Sequence, residues 1–265
     1  MFQRVVGAVA VLLMLGSDSS FAEVPADHYF WQPAKSDGAP RPWAVLLPGT
    51  SGLDIFDDHE HYFRAAIWLN ERGVDALVID YHGAIPLIPA AREGPPGDRI
   101  ATIVADALRT ERAEGRMQEY CPGAVIGWSL GGAAAWTLAA KPADVALRAV
   151  AMFYPAVLGP QSYRNAVPIL VLQGTADNVN PEDELRAFVA SRLDTSAPVE
   201  VVALQGAGNA FDVPSLVPAR ILRYPELIGV PRTFAYDAEA DRSAHRALET
   251  FLTKQGIVGG ACARK

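Results

Sequence analysis

Short apolar runs and amphipathic stretches alternate along most of this chain. Trp43 to Leu47 is apolar throughout and stops at Pro48-Gly49. Between Asp57 and Glu71, the residues Tyr62, Phe63, Ala66 and Ile67 fall on one helical face, and Gly73 marks the stop. Val74 to Asp80 is the next strand-like run. Ile100, Ile103, Val104, Ala107 and Leu108 then recur at the spacing of an amphipathic helix. An apolar run ending at Gly127 leads into an Ala-rich helical stretch, and Ala149–Tyr154, Ile169–Gln173 and Val199–Leu204 read as further strands. Leu185, Phe188, Val189 and Leu193 form a helical stripe, as do Ala244, Ala247, Leu248, Phe251 and Leu252. Strands that are apolar throughout and separated by helices predict an α/β fold, a mostly parallel central sheet with helices on both faces.

Two stretches break the pattern. Gly83 to Gly97 carries four prolines and reads as a loop at the sheet edge. Asp212 to Tyr236, with Pro214, Pro218, Pro225 and Pro231, is longer than most connections and predicts a functional or covering loop. Only residues 155–168 separate two successive strands, too few for a separate lid domain.

The N-terminus has a different character. Arg4 precedes an apolar core from Val5 to Leu15, and Ser20-Phe21-Ala22 is a small-x-small cleavage site. Residues 1–22 therefore read as a signal peptide, and residues 23–265 as one domain exported to a periplasmic or secreted location. The apolar run is too short to span a bilayer, so no membrane association is expected after cleavage. Of the 265 residues, 50% are hydrophobic and 20% charged, as in an ordinary globular protein. A dispersed net charge of -7 argues against nucleic acid or an anionic membrane surface as partner. The two cysteines, Cys121 and Cys262, either form a disulfide, as an even count in an exported protein invites, or remain separate thiols. No spacing suggests a metal, and no cofactor is expected. The sequence sets no oligomeric state.

Chemistry concentrates at Val125-Ile126-Gly127-Trp128-Ser129-Leu130-Gly131-Gly132. A strand, a Gly-x-Ser-x-Gly turn and a helix make a nucleophile elbow, in which Ser129 is the nucleophile and the Leu130 N–H an oxyanion donor. A Cβ at Gly127 or Gly131 would collide with the neighbouring elements. The second oxyanion donor belongs in the loop after Leu47, where the Thr50 N–H is the choice and Ser51 the next. An acid should follow the elbow at a later strand end. Asp177 fits, in Gly174-Thr175-Ala176-Asp177-Asn178-Val179-Asn180-Pro181, although a turn or cap role is the plainer alternative. The order Ser, Asp, His then demands a histidine beyond Leu204, and Gln205 to Asp212 contains none.

Gly-Trp-Ser-Leu-Gly-Gly, Gly-Thr-Ala-Asp-Asn-Val-Asn-Pro and Gly-Ala-Gly-Asn-Ala-Phe, in this order, resemble the dienelactone hydrolase family of α/β-hydrolases. The resemblance runs from about Trp43 to Leu252. It implies an α/β-hydrolase fold and hydrolysis of a small ester or lactone. It also implies that the family's catalytic histidine has its counterpart at Asn209. The family's cysteine nucleophile is Ser129 here, which suits general ester chemistry. Its oxyanion-loop glutamate is Gly49 here, which speaks against dienelactone as substrate.

A carboxamide cannot accept and return a proton near neutral pH. Three outcomes follow: a weakened esterase, rescue by another histidine, or a fold kept for binding. A serine transferase would use the same elbow. Of the other histidines, His82 ends a strand at the same sheet edge; it reads first as a pocket wall or loop hydrogen-bonder, with rescue as the alternative. His59 and His61 flank a helix start that reads as solvated, while His28 and His245 read as structural or exposed. Trp128, Tyr154 and Phe211 are expected to line an apolar pocket or to belong to the core.

Overall fold

The computed structural model describes residues 28–35, 37–86, 93–141, 147–157, 164–193, 196–223 and 230–262, so the signal segment expected at residues 1–22 lies outside it. Seven strands form the central sheet: β1 (Tyr29–Gln32), β2 (Trp43–Leu47), β3 (Asp75–Ile79), β4 (Gly123–Trp128), β5 (Leu147–Phe153), β6 (Ile169–Gly174) and β7 (Val199–Leu204). Their order is β1-β3-β2-β4-β5-β6-β7, with β1 antiparallel to β3 and every other pair parallel. β4, which ends in the serine turn, is the middle strand, and all six of its residues are buried.

Alternation along the strands divides the core in two. Val45, Leu47, Leu77, Ile79 and Val125 point to one face, under α3 (Pro96–Ala113), α4 (Leu130–Ala140) and α5 (Glu182–Ala190). Ala44, Leu46, Val78 and Ile126 point to the other, under α1 (His61–Asn70) and α6 (Ala238–Lys254). These are the continuous apolar strands of a sheet covered on both faces. The Asp237 carboxylate caps α6 by accepting the N–H groups of Glu239 and Ala240. Cys121, just before β4, is joined to Cys262 in the C-terminal tail by a disulfide.

Several expectations change. Edge strand β1 went unread, because four residues are too few for a periodic signal. Of the loop expected over Gly83–Gly97, residues 87–92 lie outside the described residues, and its end is helical, since Pro96 occupies the first turn of α3, where its missing N–H is no loss. The stretch from Asp212 to Tyr236 is not wholly irregular: β8 (Arg220–Arg223) and β9 (Pro231–Phe234) pair as an antiparallel ribbon, with Pro231 at a strand start, where proline is tolerated. Ile67 and Leu193, which their spacing places on apolar helical faces, are exposed at 55% and 51%. Short helix α2 (Tyr81–Ala84) takes in His82, which was expected at a strand end.

Candidate active site

Ser129 sits between β4 and α4 with φ 47° and ψ −110°, outside the regions open to most side chains. Its N–H donates to the Phe153 carbonyl at 3.0 Å, and its own carbonyl accepts the N–H groups of Gly132 and Ala156, both at 2.9 Å. The turn closes only because of its glycines. A Cβ on Gly127 would stand 2.4 Å from the Gly131 carbonyl oxygen, and one on Gly131 would stand 2.1 Å from that of Leu47. Among the described residues the Ser129 hydroxyl makes no hydrogen bond.

The loop after β2 lies beside this serine. Two buried tyrosines hold it: the Gly49 N–H donates to the Tyr62 hydroxyl at 3.0 Å, and the Tyr81 hydroxyl donates to the Gly49 and Pro48 carbonyls at 2.8 and 3.0 Å. Burial pushes both phenols well above their ordinary titration range, so they act as neutral braces. The Thr50 and Leu130 N–H groups have no acceptor among the described residues. Leu130 opens α4, whose first N–H groups lack intrahelical partners and favour negative charge. Tyr62 and Tyr81 were missed as site residues because a hydroxyl that braces a backbone loop looks like any other core aromatic in sequence.

The acid loop and the following loop meet at Gly174, where a Cβ would stand 2.3 Å from the Ala207 carbonyl oxygen. Asn209, 3% exposed, donates its amide to Asp177 Oδ2 at 2.8 Å. A carboxylate facing an amide requires the NH₂ end toward it, which fixes the orientation of the carboxamide. Asp177 Oδ1 also accepts the N–H groups of Val179 and Asn180, so Asp177 shapes its own loop as well as meeting Asn209. Burial raises the Asp177 carboxyl above the ordinary range, and these neutral hydrogen bonds only partly offset it.

A second buried carboxylate was missed. Asp212 accepts the Trp128 indole N–H and the Tyr154 hydroxyl, both at 2.7 Å, and His61 Nε2 stands 3.5 Å away, long for a hydrogen bond but close for electrostatics. Burial opposes its charge, yet His61 and the two donors hold its carboxyl below the ordinary range. His61 is thus buried at 6% exposure, against the solvated helix end expected for it. His82 is exposed, lies against Tyr81 and Gly52, and does not line the cavity described next. His59 is exposed beside Asp54, His28 bonds Asp80, and His245 bonds Asp241.

A cavity of about 570 Å³ opens over the turn, within the usual range for small-molecule sites. Thr50, Ser51, Ser129 and Asn209 all line it, whereas Asp177 stands behind Asn209. Trp128 and Tyr154 line it as expected, but Phe211 is fully buried in the core instead. The five described residues other than glycine with positive φ are Phe56, Asp57, Ser129, Tyr154 and Ala210. Four of them line this cavity, and Asp57 is next in sequence to Phe56. Such conformations cost roughly 1–3 kcal/mol each and persist where surrounding structure enforces them, typically at functional sites. Among the described residues, no group of three or more His, Cys, Asp or Glu is arranged to hold a metal, and no helix is long and apolar enough to cross a membrane.

Residues 95–255 match the dienelactone hydrolase family. Among solved structures, the dienelactone hydrolase-like promiscuous phosphotriesterase P91 from metagenomic libraries shares 25% identity and a TM-score of 0.63, over 86% of this chain and 91% of that one. A Klebsiella pneumoniae subsp. pneumoniae protein assigned to the dienelactone hydrolases shares 16% identity with a TM-score of 0.64, over 85% and 92%. Thermogutta terrifontis esterase 2, phosphonylated by cyclosarin, shares 17% identity with a TM-score of 0.61, over 88% and 90%. No curated protein matches the sequence. The last two structures are similar in fold: a mostly parallel sheet with helices and no separate lid domain.

Proposed function

The chain belongs to the dienelactone hydrolase family, and we propose that within it this protein is an exported serine hydrolase of small carboxylic esters or lactones, weakened by Asn209. Ser129 is the nucleophile, and the N–H groups of Thr50 and Leu130 receive the oxyanion. Asp177 is the acid that would orient an imidazole at position 209. The observation carrying this reading is the 2.8 Å bond from the Asn209 amide to Asp177, on the wall of the cavity that Ser129 also lines.

The chemistry follows from what an amide can do. Attack by Ser129 on an ester carbon requires its hydroxyl proton to leave, and breakdown of the tetrahedral intermediate requires a proton on the leaving alkoxide. Asn209 can hydrogen-bond but cannot carry that proton near neutral pH. The oxyanion donors and binding alone retain roughly 10³–10⁴-fold over water in serine hydrolases that lack a triad member. Export is supported by the signal-like N-terminus and by the Cys121–Cys262 pairing, which suits an oxidising compartment.

One observation favours a second reading, a binding protein that keeps the cavity. Among the described residues no histidine lines the cavity, so none there can replace the missing base. Labelling with a fluorophosphonate probe separates the two. A weakened hydrolase labels slowly at Ser129, labels much faster as Asn209→His, and does not label as Ser129→Ala. Failure of both wild type and Asn209→His to label would leave binding as the function.

A further inference from the structure

Part of the cavity wall is built by the β8–β9 ribbon, within the stretch whose sequence predicts a functional or covering loop. Leu222 and Phe234 turn inward from it, beside Ile55 and Phe56. The ribbon is tied down at both sides. Asn178, on the acid loop, bonds the Pro231 carbonyl and the Thr233 N–H, at 3.2 and 2.9 Å. Arg220 bonds Asp57 at 2.5 Å, and Phe234 packs on Phe56 at 4.8 Å between ring centroids. Asn209 itself accepts the Ala235 N–H on its backbone carbonyl at 3.2 Å, which ties the end of the ribbon to the loop that carries Asn209.

The charge pattern around this wall is as informative as its shape. Among the described residues, no Lys, Arg, His, Asp or Glu side chain lines the cavity. Two carboxylates stand one side chain behind its surface: Asp177 behind Asn209, and Asp212 behind Trp128 and Tyr154. Of the three ribbon arginines, Arg220 and Arg232 are committed to Asp57 and to the Asn178 carbonyl, and Arg223 is exposed and does not line the cavity. An anionic ligand would lose water, meet no cation among the described lining residues and approach the Asp177 carboxylate and the Asp212 carboxylate, the latter with His61 Nε2 3.5 Å away. A neutral carbonyl meets the free N–H groups of Thr50 and Leu130 at one end and hydrocarbon at the other.

We propose that the cavity selects neutral esters with an uncharged, apolar or aromatic group, rejects substrates bearing a carboxylate, and takes this selectivity from Leu222 and Phe234 of the ribbon. This deepens the ester-hydrolase reading and rests on it for the placement of the carbonyl, but the charge preference is a property of the cavity itself.

The test measures binding without turnover. Methyl 4-methylbenzoate and monomethyl terephthalate differ only in a methyl group against a carboxylate. Calorimetric titration of each into the Ser129→Ala protein should show the neutral ester binding at least tenfold more tightly. Leu222→Arg should narrow or invert that ratio by at least tenfold. Phe234→Ala should weaken the neutral ester at least fivefold and leave the carboxylate unchanged, with thermal melting checking that each variant folds. Equal or tighter binding of the carboxylate, no binding of either ester, or a ratio unmoved by both ribbon variants would overturn the proposal. Turnover by Asn209→His is assayed separately: its absence alongside the expected charge preference would sink the hydrolase reading and leave the cavity assignment standing.

Discussion

Asp177 and Asp212 are equally buried, at 5% exposure each, yet burial lifts the proton affinity of the first while its neighbours depress that of the second. The partners explain the difference. Asp212 has an indole N–H, a phenol hydroxyl and a histidine within electrostatic reach. Asp177 has only neutral amides: two backbone N–H groups, Asn209 and Gln173. One carboxylate sits in a completed structural network. The other faces a carboxamide that cannot become an imidazolium, which is the arrangement that the proposed weakened hydrolase requires.

The largest effect that could break this comparison is on stability. Asp212→Ala leaves the buried Trp128 and Tyr154 donors without their acceptor and His61 without the carboxylate it faces, and should cost about 3–5 kcal/mol at neutral pH, measured by urea denaturation. Asp177→Asn keeps an oxygen for the Val179 and Asn180 N–H groups, and Asn209 can turn its amide over to present an acceptor. It should stay within about 1 kcal/mol of wild type. If the two variants cost the same, the contrast between the carboxylates is wrong.

Much of this arrangement was legible before the fold was known. The elbow glycines announce themselves locally, because tight turns demand particular residues at fixed offsets, whereas Asp177 follows from its place after a later strand and Asn209 from the resemblance to the family's last motif. The Asp212 network does not, since Trp128 and Asp212 are 84 positions apart and no periodicity links them. His61 illustrates the same limit: its place at a helix start suggests solvent, and only packing against Trp128 and Tyr62 buries it. The β8–β9 ribbon escaped because its strands are four residues long and its prolines read as loop.

A middle-sized effect sharpens the account of the scaffold. In the Asn209→His background, Tyr81→Phe removes the hydroxyl that donates to the Pro48 and Gly49 carbonyls. Loss of that brace should lower kcat about tenfold with little change in KM, since one such hydrogen bond is worth about 1–1.5 kcal/mol. Equal losses in kcat and in thermal stability at all temperatures would mark Tyr81 as a core residue only.

The smallest effect is in pH dependence, where the two carboxylates should run in opposite directions. The depressed Asp212 carboxyl contributes stability above the ordinary carboxylate range, near pH 4, and loses it as pH falls through its lower folded value. The gap between wild type and Asp212→Ala should therefore shrink on acidification. The raised Asp177 carboxyl contributes fully below that range and loses its contribution as pH rises through its higher folded value. Asp177→Asn, which does not titrate, should gain on wild type as pH rises from about 4 through that higher value. Denaturation curves across about pH 2–7 read both slopes, and parallel slopes would refute the assignment.

The central claim is that a working hydrolase site lacks only its base. Its most direct measurement is kcat for a short acyl ester, such as p-nitrophenyl acetate, in wild type, Asn209→His, and Asn209→His combined with Ser129→Ala. A returned imidazole finds Asp177 already placed and should raise kcat at least about a hundredfold, the lower end of what a positioned general base supplies. The gain should vanish in the double variant, because it must pass through Ser129. An unchanged rate in Asn209→His, or a wild-type rate already as high, would contradict the account.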